Sequence, residues 1–105
     1  MRKLRVGLAQ INTTVGDLDG NVRKVLDYVG RARGLGVDVV SFPELTVTGY
    51  PPEDLLLRPG FVQDNLEALG SLIDGCTGIT VVAGFVDLAG GDIFNAAAVI
   101  HDGTL

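Results

Sequence analysis

The chain has little of several things, and each shortage removes a class of protein. A single cysteine, Cys76, rules out an internal disulfide. One cysteine and one histidine, His101, cannot assemble a zinc site at their separation. Basic residues number only eight against thirteen acidic ones, a net charge of −5. They form no stripe with interleaved aromatics, so neither nucleic acid nor an acidic membrane surface is an expected partner. No apolar run approaches the roughly 18 residues that a membrane span needs. The start, MRKLRVGLAQI, carries charge, but no small-residue cleavage pattern follows a hydrophobic stretch. A cytoplasmic protein is the expectation.

What is present is core material. Hydrophobic residues make up 47% of the 105 positions, and the 15 glycines fall between periodic segments, so repeat, linker and disorder readings fail. Residues 3–11, with Leu4, Val6, Leu8, Ala9 and Ile11, read as a central strand covered on both faces. Asp17 or Asp19 can cap a helix over residues 21–34, with Val22, Val25, Leu26, Val29 and Ala32 on one side. On its polar side Asp27 can pair with Arg23 and Arg31. Gly34 and Gly36 stop this helix, and residues 37–42 form a second strand ended by Pro43. A strand, a helix and a strand with short joints imply a right-handed parallel unit.

After an irregular, proline-rich stretch over 44–59, a second helix is expected over 60–74, presenting Val62, Leu66, Leu69, Leu72 and Ile73. Residues 79–86 and 93–100 read as strands joined by a hairpin at Ala89-Gly90-Gly91-Asp92, and His101-Asp102-Gly103-Thr104 reads as another turn. The class is α/β: a mixed sheet with both helices on one face. The opposite face is also apolar and must meet another layer.

The segment SFPELTVTGYPPEDLLLRP, residues 41–59, is the strongest functional candidate. Ligands of α/β sheets gather at the carboxyl ends of strands, and Glu44 is the first ionisable side chain past the second strand. An apolar wall around it would raise its carboxyl pKa toward neutrality and suit it to act as a base; the plain alternative is a solvated loop glutamate. Cys76, just past a helix C-terminus, reads as a small spacer, because the negative end of the helix dipole disfavours a thiolate. His101 reads as a solvated turn residue. Asn95 could bond backbone near the site or simply satisfy a strand end, and the structural role is the favoured reading. Glu53, Asp54 and Arg58 flank a single helical turn at Leu55–Leu57, either as an acidic cap or as a contact surface.

The strand ending in F-P-E-L followed by T-G-Y resembles the glutamate motif of the nitrilase superfamily of carbon–nitrogen hydrolases. RVGLAQINTTVGDLDGN resembles that family's first strand and turn, and FNAAAVIHDG its fourth strand and hairpin. The string GYPPEDLLLRPGF is similar to the glutaminase domain of glutamine-dependent NAD synthetases. The resemblance implies a partial α-β-β-α sandwich, with residues 1–105 as the first portion of the hydrolase domain and the rest of it, and a synthetase domain, absent. It implies a Glu-Lys-Cys site in which glutamine yields a thioester and ammonia. The ammonia would then serve a second domain that uses ATP and Mg to amidate nicotinic acid adenine dinucleotide. Glu44 matches the general base, and Tyr50 a position lining the glutamine pocket. Neither Lys3 nor Lys24 stands on the element that carries the family's lysine, and its cysteine has no match, so this chain alone is expected to be inactive. The resemblance further implies a homo-oligomer. Two other readings stay open: a stand-alone amidase or nitrilase, and a non-catalytic binding or assembly module.

Overall fold

A computed structural model describes residues 3–105. Along the chain run β1 (Val6–Leu8), α1 (Leu18–Gly34), β2 (Val39–Ser41), a 3-10 helix (Glu53–Leu57), α2 (Phe61–Gly75), β3 (Thr80–Ala89) and β4 (Asp92–His101). The four strands form one sheet in the order β1-β2-β3-β4. The first two pairings are parallel and the last is antiparallel, so the mixed sheet expected of the sequence is present. Among the described residues no helix is long and apolar enough to cross a membrane.

α1 starts at Leu18, three residues before the expected point, because Asp17 caps it by accepting from the Gly20 N–H at 3.1 Å. Its buried stripe is Val22, Val25, Val29 and Ala32. On the wet side Asp27 pairs with Arg31 at 3.0 Å, and Arg31 also stacks over Tyr28; among the described residues no ion pair joins Arg23 to Asp27. An exposed pair of this kind contributes only about 0.3–0.5 kcal/mol. α2 buries Asn65, Ala68, Leu69 and Leu72, and both helices lie on one face of the sheet against Val40, Val81, Ala83, Phe85, Ala98 and Ile100.

The opposite face is covered only where the loop after β2 crosses β3 and is otherwise open. The register aligns Val6, Val39 and Thr80 across the sheet, then Leu8, Ser41, Val82 and Val99. Of these, Val6 is 54% exposed, Leu8 74% and Val99 57%. This corrects one expectation: β1 is short, lies at the sheet margin and is covered on one side at most. Apolar composition identifies a strand with two buried faces only when the second layer is there to bury it. The β3–β4 hairpin turns on Gly90 and Gly91, both with positive φ, as a two-residue turn matched to strand twist requires.

β2 ends at Ser41, but β3 continues past it, leaving that edge of β3 to be satisfied by other groups. The Phe42 N–H donates to the Val82 carbonyl at 2.8 Å, and the Val47 N–H to the Gly84 carbonyl at 3.1 Å. At the next position along this edge the side chain of Asn65 takes over. Its amide donates to the Val86 carbonyl at 2.6 Å and accepts from the Val86 N–H at 3.2 Å. Asn65 is fully buried, and the two bonds satisfy backbone groups that would otherwise be orphaned there.

Candidate active site at the end of the central strand

β2 lies in the middle of the sheet, and Pro43 turns the chain out of it, so Glu44 stands at the carboxyl end of a central parallel strand. The loop that follows is tightly held. Thr46 donates its hydroxyl to the Pro43 carbonyl, and the Thr48 hydroxyl contacts the Leu45 and Gly49 carbonyls. The buried Asn21 of α1 reaches across, donating to the carbonyls of Thr14 and Val47 at 2.9 Å and accepting from the Thr14 N–H at 2.8 Å. Leu45 takes a left-handed φ of 50°, a conformation a branched side chain adopts only when its surroundings impose it.

Gly84 makes that loop path possible. A Cβ there would stand 2.3 Å from the Leu45 nitrogen, 2.9 Å from the Glu44 carbonyl carbon and 3.0 Å from the Pro43 oxygen. The backbone of residues 43–45 therefore rests directly on β3, on the face that the helices leave bare. On that same face, where β4 pairs Asn95 with Val86, the Asn95 side-chain amide donates to the Glu44 carboxylate. Beside them opens a shallow cleft of about 160 Å³, lined by Leu45, Leu56, Val86, Ile93, Phe94 and Asn95. Larger depressions lie elsewhere, one among Asp17, Asp19, Asp64 and Glu67 and one beside Lys3, Arg5 and Asp38. Neither includes a residue of the Glu44 loop.

Glu44 itself is solvent-exposed. The dry pocket expected around it is thus not formed: an apolar cleft opens beside its partner Asn95, but Glu44 itself stands in solvent. A fully desolvated carboxylate needs a second layer over the open sheet face. Tyr50 closes the loop but is 64% exposed, and among the described residues no hydrogen bond ties it to Glu44. Asn95, expected to be structural, is the residue brought onto the carboxylate.

The remaining candidates separate cleanly. Cys76 is fully buried at the end of α2, and burial pushes its thiol up to about 11, the nearby Arg33 opposing in part. That is the reverse of what a nucleophile needs. His101 bonds through Nδ1 to the Thr80 hydroxyl at 2.8 Å beside the Asp102–Gly103 turn. Lys24 lies on α1 and donates to the Asn12 carbonyl. Three contributors escaped the sequence reading. Gly84 sits alone inside the apolar run Val81–Val86, which signals a close backbone approach. Asn65 interrupts the apolar stripe of its helix, which marks a buried polar bridge. Asn21 had no comparable signal.

The carbon–nitrogen hydrolase family matches residues 5–105. The chain is 44% identical to a glutamine-dependent NAD(+) synthetase of Thermotoga maritima over 107 aligned positions, covering 100% of this chain and 18% of that protein. The crystal structure of a glutamine-dependent NAD(+) synthetase from Cytophaga hutchinsonii superposes with a TM-score of 0.90 at 32% identity, over 96% of this chain and 17% of that one. An amidase from Nesterenkonia sp. shares the fold, with a TM-score of 0.72 at 22% identity, over 91% of this chain and 38% of that one. The chain thus spans about a fifth of the length of the synthetases it matches, and the match runs through strand, loop and hairpin alike. The parallel unit that delivers Glu44, the hairpin that delivers Asn95 and the family match over nearly every residue together make this chain a member of the carbon–nitrogen hydrolase family.

Proposed function

We propose that this chain supplies the general-base side of a glutamine amidase site, as the opening segment of the glutaminase domain of a glutamine-dependent NAD synthetase. The observation that carries the reading is the placement of Glu44 at the end of a central parallel strand, with its carboxylate held by Asn95. The identity to the Thermotoga maritima synthetase, along the whole chain, supports glutamine as the substrate. In the reaction Glu44 takes the proton of a cysteine thiol, and the sulfur attacks the side-chain amide carbon of glutamine. The carbon–nitrogen bond breaks, ammonia leaves with that proton, and water hydrolyses the thioester to glutamate. Tyr50 borders the glutamine pocket. The cysteine and the lysine of the site come from residues outside these 105, since Cys76 is buried and protonated, Lys3 precedes β1 and Lys24 lies on α1.

Ammonia then serves a cytoplasmic synthetase domain that uses ATP and Mg to amidate nicotinic acid adenine dinucleotide. The complete enzyme is a homo-oligomer, which sedimentation at micromolar concentration tests directly. The decisive experiment is Glu44→Gln in the complete gene product. Glutamine hydrolysis, followed as ammonia release, should fall by about 10²–10⁴-fold, the usual contribution of a general base. Synthesis driven by added ammonium should be unchanged. A variant within a few-fold of the native rate on glutamine would refute the assignment, as would ammonia release by the isolated 105-residue chain.

A further inference from the structure

We infer that Asn95 is a positioning residue for the Glu44 carboxylate, an inference that rests on the amidase reading above. The two residues are 51 apart in sequence and belong to different supersecondary units, yet the Asn95 Nδ2 donates to Glu44 Oε1. The register makes this contact a built feature. On β3, residues 82, 84 and 86 face the side of the sheet away from the helices, and their β4 partners are Val99, Ala97 and Asn95. Gly84 admits the loop backbone at the middle of this row, and Asn95 meets the carboxylate one step further along. Glu44 is thereby fixed at two points of the same hairpin: its backbone on Gly84, its side chain on Asn95.

The chemistry of the contact favours this role over a generic strand-end bond. A carboxylate serving as a base must be ionised before the thiol approaches, and its reacting oxygen must point to one place. An amide N–H donated to Oε1 orients the carboxylate and leaves Oε2 with its lone pairs free. It also biases the terminal torsion, which is otherwise broad and nearly two-fold. Asn95 carries no proton of its own to transfer, so it acts through Glu44.

The test uses the complete gene product and three variants. Asn95→Asp keeps the shape and reverses the donor, Asn95→Ala removes the side chain, and Glu44→Gln reports the amidase reading itself. Both Asn95 variants should lose tenfold or more in kcat on glutamine with KM little changed, while ammonium-driven synthesis and the melting temperature stay native. A loss in kcat at unchanged KM and unchanged melting temperature is the signature of positioning; a purely structural role would lower the melting temperature instead. If N95A does not fold, N95D carries the test alone. Near-native kcat in N95D, with E44Q inactive, overturns the positioning role and leaves the amidase reading standing. An active E44Q overturns both.

Discussion

Replacing Gly84 by alanine tests the packing logic most directly. A methyl group there would lie 2.3 Å from the Leu45 nitrogen, where ordinary contact begins near 3.4 Å, and the atoms it meets are all backbone. No flexible side chain can swing aside, so the loop must lift by roughly 1 Å. Overpacking of this kind costs about 1–3 kcal/mol. Lifting the loop also stretches the bond from the Val47 N–H to the Gly84 carbonyl, now 3.1 Å, which is worth about 1 kcal/mol more. The expected loss is about 2–4 kcal/mol, read from urea unfolding of the complete protein. Glu44 rides on the displaced segment, and a 1 Å misplacement in a catalytic constellation costs about 10²-fold in rate. Glutamine hydrolysis should fall accordingly while ammonium-driven synthesis persists. Gly70→Ala is the matched control: Gly70 sits inside α2 with nothing within 4 Å of the added carbon, and the change should stabilise by about 0.5–1 kcal/mol. Native stability and native glutaminase activity in G84A would refute the reasoning.

Asn65→Ala removes both bonds to Val86 and leaves a buried N–H and C=O unpaired, so unfolding free energy should drop by about 2–4 kcal/mol; a loss under about 1 kcal/mol would mean water replaces the amide without cost. The Cys76 thiol should resist alkylation at pH 8 until the protein unfolds. Because its folded-state pKa is raised from 9.0 to about 11, the thiol's contribution is complete below pH 9 and lost as pH climbs toward 11. That shift is worth about 2–3 kcal/mol, and Cys76→Ala should flatten this part of the stability profile; an unchanged slope between pH 9 and 11 would count against a buried, neutral thiol.

Most of the element order was legible in the sequence because helices and hairpins announce themselves locally. Asp17, the spacing from Val22 to Ala32, and Gly90-Gly91 each express a preference that holds within a few residues of chain. Glu44 was legible for a related reason: Pro43 must break the strand, and the next side chain inherits its end. What pattern could not convey was which groups meet across the sheet. Asn95 touching Glu44, Asn65 standing in for a missing strand along the β3 edge, and Gly84 yielding its Cβ volume to a loop all depend on register between segments distant in sequence. The environment of Glu44 belongs to the same category. The residues alone decided that a carboxylate would stand at the carboxyl end of a parallel unit. Only tertiary structure decided that Asn95 meets it while its surroundings stay open to solvent, because burial is a property of layers in contact and not of any one segment.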